Sequence, residues 1–286
     1  MRAQFTGHSR LLLGLITGVM LATGAHAAPG DRLDRRQLGA QVFQDAFQQG
    51  LSLDHGCNDP NAKYVDQYCG EGPADGAYPR THGEHQCYSD PDFDGVNPFM
   101  LEAAGDLRIT AQLMAPAAEA KCFGAKYTSG MLSTRNSLRM KHGYWEVVAQ
   151  MPRGGEGRWP AIWLKAGGWP PEIDIAEVAN GVLNGSQHSK HHPNGVGSTA
   201  PHLGCLCDRP HAFGFLNTGA ELIWYVDGVE WYRATPEPGV ADAAYYLIVN
   251  LAITGRPGGW TGGETPTSVP ASLKIYSISA YALASQ

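Results

Sequence analysis

The stretch Glu172-Ile173-Asp174-Ile175-Ala176-Glu177 begins by alternating acidic and apolar residues, which is the pattern of a half-buried β-strand. In a regular strand, residues two apart share a face and residues five apart do not. Glu172 and Asp174 would therefore point one way and Glu177 the other. A β-bulge near Ile175-Ala176 adds one residue and brings Glu177 onto the face of the other two acids. The stretch predicts a bulged strand with three carboxylates in a row on a concave surface.

The rest of the chain has the same β character. Its 36 glycines and 19 prolines punctuate short runs of β-branched, aromatic or alternating residues. One helix-like stretch, residues 33–49, is short. Many short strands separated by turn signals such as Asp227-Gly228 predict an all-β fold, a β-sandwich or jelly roll, with the acidic strand in a concave cleft. The predicted strands are residues 107–111, 144–149, 173–178, 222–226, 245–252 and 273–281.

The first 27 residues have the pattern of an export signal. Arg2 and Arg10 precede or flank an apolar run at 11–22, and Ala25-His26-Ala27 is a small-x-small cleavage signature. The run is shorter than the roughly 20 apolar residues that a membrane-spanning helix needs. We therefore expect a signal peptide at 1–27, a secreted protein (extracellular or periplasmic) and no membrane association after cleavage.

No internal repeat or low-complexity linker divides the remaining chain. This predicts an N-terminal lead segment at 28–42 and a single domain at 43–286, which we expect to be a monomer. Residues 54–95 are rich in Gly, Pro, Asp and Cys, and we expect a surface segment held by disulfides. The formal net charge of −6 becomes more negative when the signal is removed, which argues against nucleic acid as a partner. A neutral glycan is compatible with this charge.

The six cysteines of an exported chain favour disulfides, with the connectivity left open. A zinc site is the alternative, but the cysteines other than Cys205 and Cys207 lack the Cys-x-x-Cys spacing of such sites. Only one residue separates Cys205 from Cys207, too little chain for an easy mutual bridge. We therefore expect each of these two cysteines to pair elsewhere.

Three neighbouring carboxylates cannot all ionise cheaply, so at least one pKa must rise. When neighbouring carboxyl groups have different pKa values, one can act as a nucleophile and the other as a proton donor. We predict Glu172 as the nucleophile, Glu177 as the acid and later the base, and Asp174 as a hydrogen-bond partner of Glu172. A separation of about 5–5.5 Å between the two glutamates would be the geometry of a retaining glycosidase. The alternative is that the acids line the solvated face of an amphipathic strand.

Tryptophans near the acidic strand favour the catalytic interpretation. Sugar rings stack their C–H faces on aromatic rings, so a cleft with acids and tryptophans suits a polysaccharide. Trp159 and Trp169 adjoin Pro or Gly loop residues and are predicted to line the cleft and bind substrate. Core packing is predicted for Trp145, Trp163 and Trp224.

The motif and the order of segments around it resemble family-16 glycoside hydrolases, the group that contains laminarinases, lichenases, agarases and carrageenases. The six-residue acidic motif is similar to the bulged form of the laminarinase-like branch, and differs from the five-residue form of lichenases and xyloglucan transglycosylases. The resemblance covers about residues 43–283, and it implies a concanavalin A-like jelly roll. It also implies the same roles for Glu172, Asp174 and Glu177. The other segments that carry it are 43–47, 51–54, 127–133, 142–147, 223–228 and 246–252.

The resemblance bears on two further positions and one loop. His188 matches a histidine that many relatives place near the acid/base, although it could simply be a pairing residue in an edge strand. Many relatives bind a structural calcium through an Asp in the final strand, where this chain has Tyr276. We therefore expect no cofactor and no calcium there. Residues 189–207 are expected to form a disulfide-pinned loop at the cleft edge rather than a metal site.

Three functions are compatible with these features. The first is a secreted, retaining endo-β-glycosidase that hydrolyses a β-1,3-glucan or a bacterial exopolysaccharide by double displacement. The second is a transglycosylase that uses the same covalent intermediate. The third is a non-catalytic carbohydrate-binding jelly roll, which would be expected to have lost one of the two glutamates, whereas both are present.

Overall fold

Two β-sheets form nearly all of the regular structure in the computed structural model, which describes residues 30–69, 84–92, 94–122, 124–153, 157–200, 203–254 and 269–285. The predicted signal peptide at 1–27 lies outside the described residues. A 3-10 turn (Arg35–Gln37) and a short helix α1 (Pro116–Glu119) complete the described elements. None of the described helices has the length and hydrophobicity that a membrane crossing requires. The strands are β1 (Leu38–Asp45), β2 (Leu53–Asp54), β3 (Tyr64–Val65), β4 (Gln86–Tyr88), β5 (Phe99–Leu101), β6 (Leu107–Leu113), β7 (Tyr127–Ser129), β8 (Met131–Ser133), β9 (Gly143–Gln150), β10 (Arg158–Lys165), β11 (Glu172–Ala179), β12 (Val182–His188), β13 (Val196–Ala200), β14 (His211–Asn217), β15 (Leu222–Val226), β16 (Val229–Ala234), β17 (Tyr246–Ile253) and β18 (Ala271–Leu283).

The described strands divide into a ten-stranded and an eight-stranded sheet. The ten-stranded sheet has the order β16-β15-β14-β9-β18-β6-β7-β4, with β1 paired to β18 and β5 to β6. The eight-stranded sheet has the order β13-β12-β11-β10-β17-β8-β3-β2. The all-β prediction is confirmed, and all six predicted strands are present, as β6, β9, β11, β15, β17 and β18. The acidic strand β11 lies inside the eight-stranded sheet, between β10 and β12.

The main hydrophobic core lies between the two sheets, because alternate residues of both face each other. Trp145 and Trp224 come from the ten-stranded sheet and are fully buried there, as predicted. Ile162, Ile173 and Val249 face them from the eight-stranded sheet. Burying side chains of this size stabilises the fold by about 1.5–3 kcal/mol each. The core therefore fixes the positions of β10, β11 and β17, whose opposite faces remain available for a site.

The prediction of a helix over residues 33–49 is wrong. Only Arg35–Gln37 form a 3-10 turn, and the chain then continues as β1. β1 pairs antiparallel with β18, from Leu38 opposite Leu283 to Asp45 opposite Ile278. Pairing with an available sheet strand outweighs a weak helical propensity. The expected boundary at residue 43 falls inside this strand.

The cysteines pair as Cys57–Cys69, Cys87–Cys122 and Cys205–Cys207. The first two bonds involve described residues of the 54–95 segment, which also form β3 and β4. The prediction that Cys205 and Cys207 pair elsewhere is wrong. A turn at Leu206–Cys207 brings their Cα atoms to 5.0 Å, within the normal range for a disulfide. Sequence separation alone misjudged the distance because it ignores this turn.

Candidate active site

The predicted bulge is present in β11. On the β10 side, Trp163 lies opposite Asp174 and Ile162 lies opposite Ala176, so Ile175 is the extra residue. On the β12 side, the register also shifts between Asp174 and Glu177. Ile173, Ile175 and Ala176 all pack into the core. The bulge therefore places the two consecutive residues before Glu177 on the core face, and Glu172, Asp174 and Glu177 share the opposite face.

A hydrogen bond from the other sheet holds the bulge. Trp224 of β15 donates from Nε1 to the backbone oxygen of Asp174 at 2.7 Å, and both groups are buried. A bulge disturbs the strand ladder, and a buried carbonyl that loses a ladder partner needs another donor. Gly185 of β12 allows this approach, since a Cβ there would lie 2.9 Å from the Trp224 ring. The sequence placed Trp224 correctly in the core but gave no signal of its contact with β11.

Glu172 lies beside two cations. It is opposite Lys165 on β10 and opposite His188 on β12, and His188 Nε2 is 3.6 Å from Glu172 Oε1. Trp169 donates a hydrogen bond to the carboxyl group. The carboxylate therefore has positive charge and a donor around it, which favour its ionised form.

Asp174 is almost fully buried, with 4% of its surface exposed, and is held by Ser186 and His188 of β12. Ser186 donates its hydroxyl to Asp174 Oδ2, and His188 Nε2 is 2.9 Å from the same oxygen. His188 Nδ1 is 2.8 Å from the backbone oxygen of Pro193, so both ring nitrogens face acceptors. His188 thus bridges Asp174 and Glu172, where the sequence predicted a direct hydrogen bond between the two acids.

Glu177 has a different environment. Trp159 of β10 donates from Nε1 to Glu177 Oε1 at 2.9 Å, so it lies on the same face of the sheet as Glu177. The charges of Asp174 and Glu172 both act on this carboxyl group. Glu177 therefore faces like charges, and the described residues that shift its pKa most include no cation.

These environments split the pKa values of the two glutamates. Burial, followed by the charges of Asp174 and Glu172, raises the pKa of Glu177 well above its ordinary value. Burial and Asp174 also raise the pKa of Glu172, but His188, Lys165 and the Trp169 hydrogen bond oppose that rise. Burial alone would lower the pKa of His188, but the hydrogen bond to Asp174 and the charge of Asp174 raise it to about 9. Glu172 is therefore the first of the two glutamates to ionise, and Glu177 keeps its proton to higher pH.

The floor beside these acids is aromatic. Trp163 projects from β10 on the cleft face and packs with Tyr68, Tyr88, Tyr246 and other side chains. The prediction that Trp163 is a core residue is wrong. Its neighbours Ile162 and Leu164 take the core face, so alternation turns Trp163 toward the cleft.

Trp169 lies beside the acids, next to His188. It is 48% exposed, and its ring centroid is 6.3 Å from that of His188. An exposed indole next to a charged site offers a stacking surface for a ligand. All six residues predicted for the site (Glu172, Asp174, Glu177, Trp159, Trp169 and His188) thus lie together on or beside the cleft face of the eight-stranded sheet.

Sequence reasoning missed Ser186, although a signal was available. Once the bulge is placed, the β11–β12 register puts Ser186 opposite Asp174 and His188 opposite Glu172.

Sequence reasoning also missed strand β13, which occupies part of the 189–207 stretch. His192 of that stretch pairs with Glu237 at 3.0 Å. The cysteine bond within this stretch does not pin it to another element, contrary to the expectation of a pinned loop.

Three groups of described side chains could offer several ligands to a metal ion: Glu172 with Asp174 and His188, His55 with Asp66 and Asp90, and Cys87 with Asp94 and Cys122. The two cysteines of the last group are bonded to each other. At Tyr276, where the resemblance implies a calcium-binding Asp, the hydroxyl donates to Gln150 Oε1 at 3.2 Å. A phenol hydroxyl is a poor calcium ligand compared with a carboxylate.

Comparison with known proteins places the acidic strand within a recognised family. The sequence model of Glycosyl hydrolases family 16 matches residues 104–270. The chain is 35% identical over 261 residues to Endo-1,3-1,4-beta-glycanase ExsH of Rhizobium meliloti, an alignment that covers 88% of this chain and 53% of that protein. It is 30% identical over 186 residues to Glucan endo-1,3-beta-glucosidase A1 of Niallia circulans, covering 55% of this chain and 26% of that protein. The chain thus spans about half the length of the first relative.

Solved structures show the same fold. The structure is similar to SCLam, a non-specific endo-beta-1,3(4)-glucanase, with a TM-score of 0.69, 25% identity, and coverage of 89% of this chain and 95% of that one. It is also similar to the laminarinase catalytic domain from Thermotoga maritima, with a TM-score of 0.64, 27% identity, and coverage of 85% and 98%. The predicted jelly roll and the predicted resemblance are both confirmed.

Proposed function

Because the chain belongs to glycosyl hydrolase family 16, we propose that it is an endo-acting enzyme that hydrolyses β-glucans containing β-1,3 linkages. The observation that carries the proposal is the bulged strand β11, which presents Glu172, Asp174 and Glu177 on one face. The relatives named Endo-1,3-1,4-beta-glycanase ExsH and Glucan endo-1,3-beta-glucosidase A1 support this linkage, and the second also supports a glucan as substrate. A bacterial exopolysaccharide with the same linkage is a second substrate that the test below includes.

We propose double displacement as the mechanism, with the roles set by the surrounding charges. The Glu172 carboxylate, beside Lys165 and His188, attacks the anomeric carbon while the bond to the leaving oxygen breaks. Glu177, which keeps its proton longest, gives that proton to the leaving oxygen. The products of this step are the shortened chain and a sugar esterified to Glu172.

Water completes the cycle. The Glu177 carboxylate removes a proton from a water molecule, whose oxygen attacks the same carbon from the opposite side. The ester bond breaks, Glu172 returns as a carboxylate, and Glu177 is protonated again. Two inversions give net retention at the anomeric carbon. His188 and Ser186 hold Asp174 in place through contacts with its Oδ2, where Asp174 acts on both glutamates.

Aromatic groups supply substrate binding in this proposal. Trp169, exposed at the cleft edge, and Trp163, on the floor, offer ring faces on which sugar rings can stack.

The side chains present supply a nucleophile, an acid and a base, so we propose that the reaction uses no cofactor. EDTA treatment followed by dialysis should leave the hydrolysis rate unchanged, and a loss restored by calcium would contradict this part. We also propose export, on the basis of residues 1–27.

Product analysis tests the proposal. The protein is incubated with laminarin, mixed-linkage β-glucan, cellulose, agarose and an acidic bacterial exopolysaccharide, and products are sized over time. Early release of mid-length oligomers from laminarin or mixed-linkage glucan is expected, and proton NMR of the first products should show the β-anomer. Failure to cleave any β-glucan would contradict the substrate class. An initial α-anomer would contradict double displacement, and dominant longer products would indicate transglycosylation.

A further inference from the structure

A fourth acid, Glu84, lies at the cleft and comes from a distant part of the chain. It forms a β-bridge with Thr254, just beyond the end of β17. The next residue, His85, donates its backbone N–H to the oxygen of Ile253 at 2.7 Å. In the β10–β17 register, Ala252 lies opposite Trp159, whose indole binds Glu177. Glu84 is therefore attached to the end of the sheet nearest Glu177, rather than the end nearest Glu172.

A chain of hydrogen bonds joins Glu84 to the cleft floor. Trp163, directly opposite Asp174 on β10, donates from Nε1 to Asn250 Oδ1 at 2.8 Å. Asn250 donates from Nδ2 to Tyr88 Oη at 2.8 Å, and Tyr88 donates to Glu84 Oε2 at 3.0 Å. Asn250 and Tyr88 are buried, whereas Glu84 is half-buried. The chain of bonds thus crosses three strands beneath the cleft and ends at the Glu84 carboxyl group.

Glu84 is held in one orientation by its own segment. Gln86 donates from Nε2 to Glu84 Oε2 at 2.5 Å, and its other amide atom, Oε1, accepts from the backbone N–H of Ile253. Both hydrogen bonds that Glu84 accepts from described side chains therefore go to Oε2. A half-buried carboxyl fixed through one oxygen presents the other as a preset hydrogen-bond acceptor.

The charge of Glu84 reaches the proposed acid. Burial raises the pKa of Glu84 itself to about 7, and its negative charge contributes to the raised pKa of Glu177. It also acts on Tyr68, which packs with Trp163 in the cleft floor. The charge of Glu84 thus acts both on Glu177 and on the aromatic floor beside it.

We propose that Glu84 is a substrate-binding residue, whose Oε1 accepts a hydrogen bond from a hydroxyl group of the sugar bound beside Glu177. The inference rests on the proposed function of the cleft. A neutral glycan offers many hydroxyl donors and no charge, so a preset acceptor suits it. Two donors on Oε2 keep the acceptor aimed without help from the substrate, which limits the entropy lost on binding.

Glu84→Gln tests this assignment. The glutamine can place its oxygen toward Gln86 and Tyr88, and then presents an NH₂ donor where the carboxylate presented an acceptor. We expect KM for laminarin to rise about tenfold with a smaller change in kcat, since an acceptor that is lost costs binding. Isothermal titration with laminarihexaose in the Glu172→Gln background should show about tenfold weaker binding when Glu84→Gln is added. Glu102→Gln, which removes a carboxylate paired with Arg108 at 3.0 Å, is the matched control and should change neither value.

The outcomes separate this proposal from the proposed function. If the unsubstituted protein cleaves β-glucan and folded Glu84→Gln keeps its KM and affinity, the assignment of Glu84 is overturned alone. If the unsubstituted protein neither binds nor cleaves any β-glucan, the proposed function is overturned and the role of Glu84 with it. Should Glu84→Gln fail to fold, Glu84→Asp gives the second test. It keeps the charge but draws the acceptor back, and unchanged KM and affinity in it would equally overturn the assignment.

Discussion

Strands β10 and β11 are neighbours in one sheet and differ in the regularity of their register. β10 pairs with β17 over eight consecutive residues without a register shift. β11 carries one extra residue, and its register shifts against both of its neighbours. The regular strand repeats its cleft-facing positions about every 6.5–7 Å, as any strand must. The bulged strand places Glu172 and Glu177, five positions apart, on one face.

The difference shows that one strand, β11, carries the acids while its neighbour β10 carries side chains that surround them. β10 contributes groups that contact the acids from the side: Lys165 opposite Glu172, Trp163 opposite Asp174, and Trp159 on Glu177. β11 contributes the acids themselves. Substitutions in β11 should therefore abolish the reaction, while substitutions in its neighbours should change its rate or its pH dependence.

The largest effect is expected from Glu172→Gln. Glutamine is nearly isosteric but is a poor nucleophile, so kcat should fall by about 10⁴-fold or more. Binding of laminarihexaose and the thermal unfolding midpoint should stay close to the parental values. The measurement is hydrolysis of laminarin by a reducing-sugar assay, with Glu102→Gln as the charge-loss control. Parental turnover in Glu172→Gln would remove this residue from the mechanism.

Glu177→Ala should have the next largest effect and lower kcat by about 10²–10⁴-fold on a substrate whose leaving group needs an acid. An aryl β-glucoside oligomer with a good leaving group should still form the glycosyl-enzyme. Added azide, which needs no base, should then restore turnover and yield a β-glycosyl azide. An α-glycosyl azide would contradict Glu177 as the acid/base and indicate that the two glutamates have exchanged roles. No rescue at all would refute the acid/base role of Glu177.

Much of this comparison could be read from sequence, because it depends on local periodicity. The extra residue between Asp174 and Glu177 is visible as a break in the two-residue alternation, and it correctly predicted the bulge. Short runs of alternating, β-branched or aromatic residues predicted the strands later found as β6, β9 and β15. Local pattern sufficed wherever the partner of a strand did not need to be known.

Two of the differences between prediction and structure come from contacts between distant residues. Residues 33–49 have a weak helical pattern, but β1 pairs with β18 at the other end of the chain. Glu84 was missed because its position depends on Tyr88 and Asn250, whose side chains meet across 162 positions. Such contacts leave no short-range signature. The separation of about 5–5.5 Å between the Glu172 and Glu177 carboxyl groups stays a prediction.

His188→Gln tests the cation on the β12 side of the bulged strand. His188 is charged below about pH 9, and its charge lowers the pKa of Glu172. Glu172 must be ionised to attack, so loss of this cation should move the acid limb of the kcat/KM profile to higher pH by about one unit. At a pH below that limb the rate should fall about tenfold. The alkaline limb should move less, and an acid limb that stays in place would show that His188 does not set the Glu172 charge.

The smallest effect is expected on the regular strand, from Trp159→Phe. The indole hydrogen bond lowers the pKa of Glu177, so its loss should raise that pKa further and move the alkaline limb to higher pH by less than about one unit. Trp231→Phe is the matched control, because the buried Trp231 Nε1 has no hydrogen-bond partner in the described part of the chain. A few-fold loss of kcat should accompany the shift, as Glu177 loses one positioning contact. If Trp159→Phe instead matched Glu177→Ala in severity, β10 would share the chemistry and the division between the two strands would fail.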